Sequence, residues 1–298
     1  MPRQSPTIVA FGEILWDMFP RGPRFGGAPA NFSMHAAAMG ASVTMLSAVG
    51  KDDFGDKAIA ILRDSLIDTR FVSQSDQYQT GQVNVEIDCF GDASYSFNDD
   101  EAWDHIHGAD GIVDLAASTD AVYFGTLSQR GVDSRATLKT FLDMLPAGTL
   151  RVVDLNIRQP FCDLEVIDIS LRMANVLKLN DEELSHLSTL FGFRGDEIAQ
   201  ARQLREKYDL QLIALTRGER GGVLIRPDEI SEVPANPTFV RDTVGAGDSF
   251  TAAVTVGLLK KMPLDEINRA ACRIAEYVCS KPGATPRLPN TLLAPWKV

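Results

Sequence analysis

The chain has 298 residues, of which 45% are hydrophobic and 23% are charged, and its formal net charge at pH 7 is −11. This composition is that of an ordinary globular protein and excludes a fibrous or disordered chain. The negative charge opposes contact with a nucleic-acid backbone, so nucleic acid is not an expected partner. A small phosphate compound can still bind where backbone N–H groups and a metal ion converge.

The cysteines and the absence of a long apolar segment indicate the compartment. Cys89, Cys162, Cys272 and Cys279 form no CxxC pair and have no histidine at zinc-ligand spacing, which favours buried, reduced thiols. No stretch approaches about 18 consecutive apolar residues, and the N-terminus lacks the apolar run of a signal peptide. We therefore expect a cytoplasmic protein that does not bind a membrane.

The first third of the chain reads as alternating strands and helices followed by a hairpin. The predicted strands are 7–11 and 43–49, and the predicted helices are 30–39 and 55–66. Gly40 ends the first helix, as a glycine after a helix commonly does. From Thr80 to Phe97 apolar residues alternate with period two around a turn at Gly91-Asp92, which predicts an exposed hairpin.

After the hairpin the α/β alternation resumes. The predicted elements are strands at 121–124, 150–155, 176–179 and 210–215, helices at 134–145, 164–173, 246–260 and 264–280, and a hairpin at 222–233. Apolar strands separated by helices are typical of α/β proteins. We predict one domain over residues 1–298, an α/β sandwich with a mainly parallel sheet, and a small β lid from segments near 13–25 and 80–100.

Small residues cluster at the start of the helix near position 246. Gly245, Ala246 and Gly247 immediately precede Asp248. Small residues let backbone N–H groups approach an anion at a helix N-terminus, where the helix dipole adds favourable potential. Phosphoryl transfer needs such an anion site, a metal ion and one carboxylate that accepts the proton of the attacking hydroxyl. Asp248 is in position for that last role.

The same segment has a purely structural alternative. Asp248 is then an acid in the first helical turn, Asp242 or Thr243 is the helix cap, and the glycines form a turn. The segment by itself does not separate this interpretation from a phosphate site.

Residues 242–250 resemble the C-terminal signature of the ribokinase-like (PfkB-type) carbohydrate kinases. Residues 26–33, followed by Gly40 and Gly50, resemble the N-terminal signature of that family at the family's spacing. Two signatures far apart, in the family's order and joined by a compatible α/β pattern, extend the resemblance over nearly the whole chain. It implies a three-layer α/β/α sandwich with a β-sheet lid, ATP and Mg²⁺ as cofactors, Asp248 as catalytic base, and phosphoryl transfer to a sugar.

On the sugar side, the resemblance assigns four residues. Gly26 and Gly27 match the pair at the hinge between lid and body that faces the sugar, where a missing side chain allows close approach. Asp17 and Asn31 match positions that hydrogen-bond sugar hydroxyls. The alternative for Asp17 alone is a solvated loop acid, but its context after Gly12-Glu13 favours the sugar role.

On the nucleotide side, Asn180 and Glu183 match an NxxE element that helps to hold Mg²⁺ and phosphate, often through water. The structural alternative is Asn180 as a helix N-cap and Glu183 as the capping-box acid, and both roles are compatible. The resemblance also implies further residues beside ATP: Thr216, Gly218, Gly221, Gly245, Gly247, Cys279 and Gly283.

Many relatives bind a monovalent cation such as K⁺ through a loop on the adenine side. The positions that match this site are Asp242, Val244, Val278, Lys281 and Gly283. Arg287 stands where several relatives carry a small hydroxyl residue, and its fixed charge is the alternative to the ion.

The choice among candidate sugars rests on resemblance alone. Residues 12–20 and 24–31 look more like fructokinases than like ribokinases or nucleoside kinases. The pattern that contains Asp154, Asn156 and Arg158 is shared with kinases of 2-keto-3-deoxygluconate, and a guanidinium pairs equally well with a carboxylate or with an ATP phosphate.

Three functions follow in order of expectation. The first is an ATP-dependent fructokinase, the second a kinase of 2-keto-3-deoxygluconate or another hexose, and the third an inactive sugar- or nucleotide-binding regulator.

Phe97 offers a flat face to a sugar ring, although packing in the core is an equal alternative. A homodimer through the lid is expected from the resemblance.

Overall fold

The computed structural model describes residues 5–87, 93–158, 161 and 163–296. The predicted turn at Gly91-Asp92 lies outside these residues, as do Cys89 and Cys162. Of the four cysteines, Cys272 and Cys279 are therefore the two that can be placed, and both are free thiols, with Cys272 buried.

The described strands form two separate sheets. They are β1 (Thr7–Phe11), β2 (Leu15–Phe19), β3 (Gly22–Gly26), β4 (Ser42–Gly50), β5 (Asp68–Ser75), β6 (Gly81–Ile87), β7 (Ala93–Phe97), β8 (Ala121–Gly125), β9 (Leu150–Asp154), β10 (Val176–Asn180), β11 (Leu212–Thr216), β12 (Gly222–Ile225) and β13 (Ile230–Val233). The large sheet has the order β13-β12-β11-β10-β9-β8-β1-β4-β5, and the small sheet has the order β3-β2-β6-β7. In the large sheet, only the pairs that involve β12 and β13 are antiparallel within the described residues.

Helices cover both faces of the large sheet. They are α1 (Ala28–Ala38), α2 (Asp53–Asp64), α3 (Ile112–Ala117), α4 (Val132–Asp143), α5 (Leu164–Met173), α6 (Asp181–Phe191), α7 (Glu197–Lys207), α8 (Ala246–Leu259), α9 (Leu264–Cys279) and α10 (Asn290–Leu293). Helices α1, α2, α8 and α9 pack on one face, and α3 to α7 pack on the other. The predicted three-layer α/β/α sandwich is confirmed.

Two apolar cores result from the alternation of side chains along each strand. In β1, Ile8 and Ala10 face the α1 and α8 side, whereas Val9 and Phe11 face the opposite layer. All four are fully buried. A strand that is apolar on both sides is expected where helices cover both faces of a sheet.

The small sheet corresponds to the predicted lid segments. Strands β6 and β7 form the predicted antiparallel hairpin, and β2 pairs with β3 on one side and with β6 on the other. Trp16 of β2 packs its ring against Phe25 and Phe54, and its Nε1 donates a hydrogen bond to the carbonyl of Phe54 at 3.1 Å. This contact fastens the small sheet to the first turn of α2.

Several elements differ from the sequence-based expectation. Strand β5 and helices α3, α7 and α10 were not predicted, and helix α6 was implied only by the capping-box alternative for Asn180 and Glu183. The hairpin at 222–233 is the antiparallel edge of the large sheet. Helix α7 buries only Ala201 and Leu204, so its apolar periodicity is too weak to mark a helix. Strand β5 alternates less clearly, because charged and polar residues interrupt its apolar ones.

No helix in the described part of the chain is long and apolar enough to cross a membrane.

The carboxyl ends of the parallel strands meet at one edge of the large sheet. Asp154, Asn180 and Thr216 are the last residues of β9, β10 and β11 at this edge, and Gly12 and Glu13 follow β1. In open α/β sheets, ligands bind in the crevice outside the carboxyl ends of the strands. The candidate site therefore lies at this edge, beneath the small sheet.

Candidate active site

The N-terminus of α8 carries no side-chain cap. Its N-cap residue is Gly245, with φ 80°, and no side chain accepts a hydrogen bond from the first turn. The alternative of an Asp242 or Thr243 cap is therefore not observed. Among the described residues, the amides of Gly247 and Asp248 have no hydrogen-bond acceptor. Uncapped amides at a helix N-terminus form an anion site.

Asp248 is held by a residue from the other end of the chain. Asn31 of α1 is buried, and its Nδ2 donates a hydrogen bond to Oδ2 of Asp248 at 2.9 Å. Helix α1 begins after Gly27, whose φ of 103° is the left-handed conformation that favours glycine. The two sequence signatures thus meet at one carboxylate.

The environment of Asp248 disfavours its charged form. Burial, followed by the charge of Asp154, raises the pKa of Asp248 to about 7, although the hydrogen bond from Asn31 and the charges of Lys178 and Arg158 act in the opposite direction. Part of the Asp248 residue stays accessible to solvent at this edge of the sheet. A carboxylate with a pKa near neutrality is suited to general-base catalysis.

Arg158 lies near both Asp17 and Asp248. Burial raises the pKa of Asp17 to about 6, and the charges of Arg158 and Arg24 lower it in part. The side chain of Asp17 lies over Gly26, where an added Cβ would be 2.8 Å from Oδ2. Arg158 is exposed, makes no salt bridge with the described residues, and acts electrostatically on both Asp17 and Asp248.

Glu13 is a site residue that the sequence interpretation did not select. Its Oε1 accepts a hydrogen bond from the N–H of Ala28 at 3.2 Å, and its Oε2 is buried without a partner. Burial, together with the nearby charge of Asp248, raises the pKa of Glu13 to about 7, although hydrogen bonds from the backbone act in the opposite direction. Its position just after β1 is the sequence feature that could have identified it, but an acidic residue after a strand is common and does not by itself mark a site.

Phe97 is half-buried and packs against a second aromatic ring. Its ring packs edge-on against Phe161, with 5.6 Å between the centroids. Arg130 stacks on Phe161 and Trp103, at 4.8 and 3.9 Å from the ring centroids, and its guanidinium forms a two-pronged ion pair with Asp104. Sequence reasoning missed Arg130, because no motif surrounds it.

Asn180 and Glu183 form the capping box that was the structural alternative. Oδ1 of Asn180 accepts the N–H of Glu183 at 2.7 Å, and Oε2 of Glu183 accepts the N–H of Asn180 at 2.8 Å. Oε1 of Glu183 accepts the N–H of Ile157 at 2.9 Å. Both carboxylate oxygens are therefore already engaged.

The donor set fits Mg²⁺ held mainly by phosphate and water. In the described ranges, no group of three or more His, Cys, Asp or Glu side chains is arranged to hold a metal ion. Mg²⁺ commonly keeps several waters and binds through one or two carboxylates together with substrate phosphates. The second lone pairs on the Glu183 oxygens suit such water-mediated contact.

The segment after β11 is a tight turn beside Asn180. Thr216 is the register partner of Asn180 across β10 and β11. The N–H of Arg217 donates to the carbonyl of Gly221 at 2.8 Å, and Gly221 has φ 88°. Gly218 also lies in this turn, with φ 54°. The structural alternative of a turn is observed here, at the edge where the other site residues lie.

Asp242 organises the C-terminal loop. Its Oδ2 accepts the N–H of Gly283 at 3.0 Å, its Oδ1 accepts the N–H of Val244 at 3.2 Å, and its own N–H donates to the carbonyl of Cys279. Arg24 of β3 forms an ion pair with Oδ2 at 3.4 Å.

The charge beside Asp242 therefore comes from Arg24 and not from Arg287, which is exposed and forms no ion pair within the described chain. Lys281 lies over the ring of Tyr277, and Val278 is fully buried in the core.

Comparison with known proteins identifies relatives across the chain. The sequence profile of the pfkB family carbohydrate kinases matches residues 22–291. A sugar kinase of Pyrococcus horikoshii is 29% identical over 303 residues, covering 94% of this chain and 93% of that protein. A fructokinase of Salmonella typhimurium is 29% identical over 273 residues, covering 88% of this chain and 87% of that protein.

Solved structures agree with the fold. The crystal structure of the Pyrococcus horikoshii sugar kinase in complex with ATP has a TM-score of 0.79 at 26% identity, covering 94% of this chain and 95% of that chain. A 2-dehydro-3-deoxygluconokinase of Thermotoga maritima has a TM-score of 0.84 at 18% identity, with 98% of each chain covered. The second likeness concerns the fold alone.

The two glycines at the start of α8 are expected to respond differently to alanine. At Gly245 a Cβ would collide with the backbone of Ala284, and φ is 80°, so Gly245→Ala should lower Tm by several degrees. At Gly247 a Cβ would lie 2.9 Å from Nζ of Lys178. Because Nζ is the end of a side chain and not backbone, Gly247→Ala should lower Tm less than Gly245→Ala and should weaken ATP binding or turnover.

Gly148→Ala is the matched control. Gly148 also has a positive φ, of 93°, but a Cβ there would have open space around it. Thermal unfolding of the three variants separates backbone strain from collision. Equal losses of Tm in Gly245→Ala and Gly148→Ala would contradict the role of the Ala284 contact.

Proposed function

The chain belongs to the pfkB family of carbohydrate kinases, and we propose that within this family it transfers the γ-phosphoryl group of ATP to a hydroxyl of fructose. The observation that carries the kinase chemistry is the hydrogen bond of 2.9 Å between Asn31 and Asp248. It joins the two halves of the site at one carboxylate. The likeness to a named fructokinase supports the choice of sugar.

Asp248 is proposed as the general base. Its carboxylate accepts the proton of the sugar hydroxyl as that oxygen attacks the γ-phosphorus, and Asn31 fixes the orientation of the carboxylate. With a pKa of about 7, Asp248 is a stronger base than an ordinary aspartate and is still ionised in a large fraction of molecules near neutral pH.

The N-terminus of α8 is proposed as the anion site for the transferred group. The amides of Gly247 and Asp248, together with the helix dipole, stabilise the negative charge on the phosphoryl oxygens. Gly245 and Ala246 bring no bulky side chain to this approach. Mg²⁺, when bound with ATP, supplies neutralisation of phosphate charge, and Asn180 and Glu183 are the residues proposed to orient it through water.

The sugar is proposed to lie between Asp248 and the small sheet. Asp17 accepts hydrogen bonds from its hydroxyls, and Gly26 and Gly27 allow the ring to approach the backbone. Phe97 covers one side of the pocket. Thr216, Gly218 and Gly221 are proposed to border ATP phosphates and ribose, and Cys279 and Gly283 the adenine.

Arg158 is compatible with a second class of substrate, the sugar acids. An exposed guanidinium with no salt bridge among the described residues suits an anionic partner, which is either an ATP phosphate or the carboxylate of 2-keto-3-deoxygluconate. The third candidate, an inactive binding protein, is disfavoured because the base, the amides and the glycines are all present at the site.

The decisive experiment is a coupled assay of ADP release with fructose, glucose, ribose and 2-keto-3-deoxygluconate. We expect the highest kcat/KM with fructose. Arg158→Gln should lower kcat with every sugar if the guanidinium contacts phosphate. A preference of the wild type for the sugar acid, lost selectively in Arg158→Gln, would replace fructokinase by the second function, and no turnover with any sugar would exclude both.

The pH dependence of turnover is expected to follow Asp248. Because only the ionised carboxylate accepts a proton, kcat/KM should fall about tenfold per pH unit below pH 7 and level off above it. Asp248→Asn should still bind ATP but lose roughly 10²–10⁴-fold in kcat. An acid limb near pH 4, or near-normal turnover in Asp248→Asn, would contradict the assignment.

Three further proposals concern the state of the protein in the cell and in solution. Because Arg24 already neutralises Asp242, activity should not change by more than about twofold when K⁺ is replaced by tetramethylammonium. The small sheet is proposed to form a homodimer, and a mass of one chain measured by light scattering would contradict this proposal.

A cytoplasmic location is supported by the free thiols of Cys272 and Cys279. Recovery of the protein together with an extracytoplasmic marker in cell fractionation would exclude that location.

A further inference from the structure

We propose that Lys178 is a positioning residue for phosphoryl transfer, which holds the first turn of α8 and places a fixed positive charge beneath its amides. The inference rests on the proposed function and adds to it a residue that no sequence motif selected. Three contacts and one close approach, described next, connect Lys178 to the turn that carries Asp248.

Lys178 lies in a buried pair between two neighbouring strands. It is the register partner of Asp154 across β9 and β10, and its Nζ is 3.0 Å from Oδ1 of Asp154. The side chains are 9% and 1% exposed. Both residues therefore sit between the sheet and the helix layer, at the carboxyl end of the strands.

The pair is connected to the first turn of α8 by Thr251. The hydroxyl of Thr251 lies 3.1 Å from Oδ2 of Asp154 and 2.8 Å from the carbonyl oxygen of Gly247, so it is within hydrogen-bonding distance of both. On the other side of the turn, a Cβ added at Gly247 would lie only 2.9 Å from Nζ of Lys178. The ammonium group thus lies against the turn that contains the amides without a hydrogen-bond acceptor.

Without Lys178, negative charges would be in excess around this turn. The carboxylates of Asp154, Glu183 and Asp248 all act on the lysine. An ammonium beneath the turn offsets their repulsion of an incoming phosphoryl group, in the same direction as the helix dipole. Coulomb interactions of the buried lysine are screened less than those of exposed charges.

Stability alone does not explain such a pair. Desolvation of two charges commonly cancels their attraction, and a buried ion pair can often be replaced by apolar residues without loss of stability. The competing explanation is that Lys178 only neutralises Asp154. Removing both charges together separates these two roles.

The test compares Lys178→Met, the double variant Lys178→Met with Asp154→Asn, and Lys178→Arg. In the double variant the amide that replaces the carboxylate still accepts from Thr251, so the protein is expected to fold even if the single variant does not. We expect kcat of the double variant to fall roughly 10- to 100-fold, with both KM values within about threefold. Lys178→Arg should retain part of the kcat that Lys178→Met loses.

Lys139→Met, which removes an exposed pair with Asp143, is the matched control and should leave kcat unchanged.

The acid limb of the pH profile gives a second readout. The groups that act on Asp248 are Asp154, Asn31, Lys178 and Arg158, and Glu13 lies nearby. Loss of Lys178 alone should move the limb to higher pH, and loss of Asp154 as well should move it back while kcat stays low.

Each outcome has a definite meaning. Wild-type kcat in the double variant would overturn the inference, because the lysine would then serve only Asp154. The same holds for a variant that loses Tm but not kcat. A wild type that neither binds ATP nor phosphorylates any sugar would overturn the proposed function and the inference together, whereas an active wild type beside an equally active double variant overturns the inference alone.

Discussion

The hydrogen bond between Asn31 and Asp248 depends on two helices that are distant in sequence but pack side by side. Helices α1 and α8 lie on the same face of the large sheet, and each begins with a glycine in the left-handed region. This shared start directs both helix N-termini at one point above the strand ends. The proposed anion site, the proposed base and the glycines proposed to face the sugar all depend on that single arrangement.

Much of this could be read from the sequence because local patterns report local structure. Strand β1 is apolar on both faces, and Gly40 ends α1 as predicted. The glycines around Asp248 indicated a helix N-terminus without a bulky side chain, and the structure gives α8 an uncapped start there. The capping box of Asn180 and Glu183, which was the structural alternative, is observed, and their role toward Mg²⁺ stays a prediction.

The contacts that the sequence could not supply all depend on register between distant elements. Lys178 meets Asp154 because β9 and β10 are parallel neighbours with a particular alignment, which no spacing within either strand encodes. Arg24 reaches Asp242 only because β3 lies over the loop before α8. Arg287 was the nearer candidate in sequence, yet its position on an exposed segment leaves it away from that carboxylate.

The raised pKa values of Asp248 and Glu13 also bear on folding. Each carboxyl has a pKa of about 7 in the folded protein and a value near 4 in an unfolded chain. Between these values the folded state binds protons that the unfolded state has released, so the free energy of unfolding declines as pH rises from about 4 to 7. Burial of these two carboxyl groups therefore costs conformational stability at the pH where they are ionised.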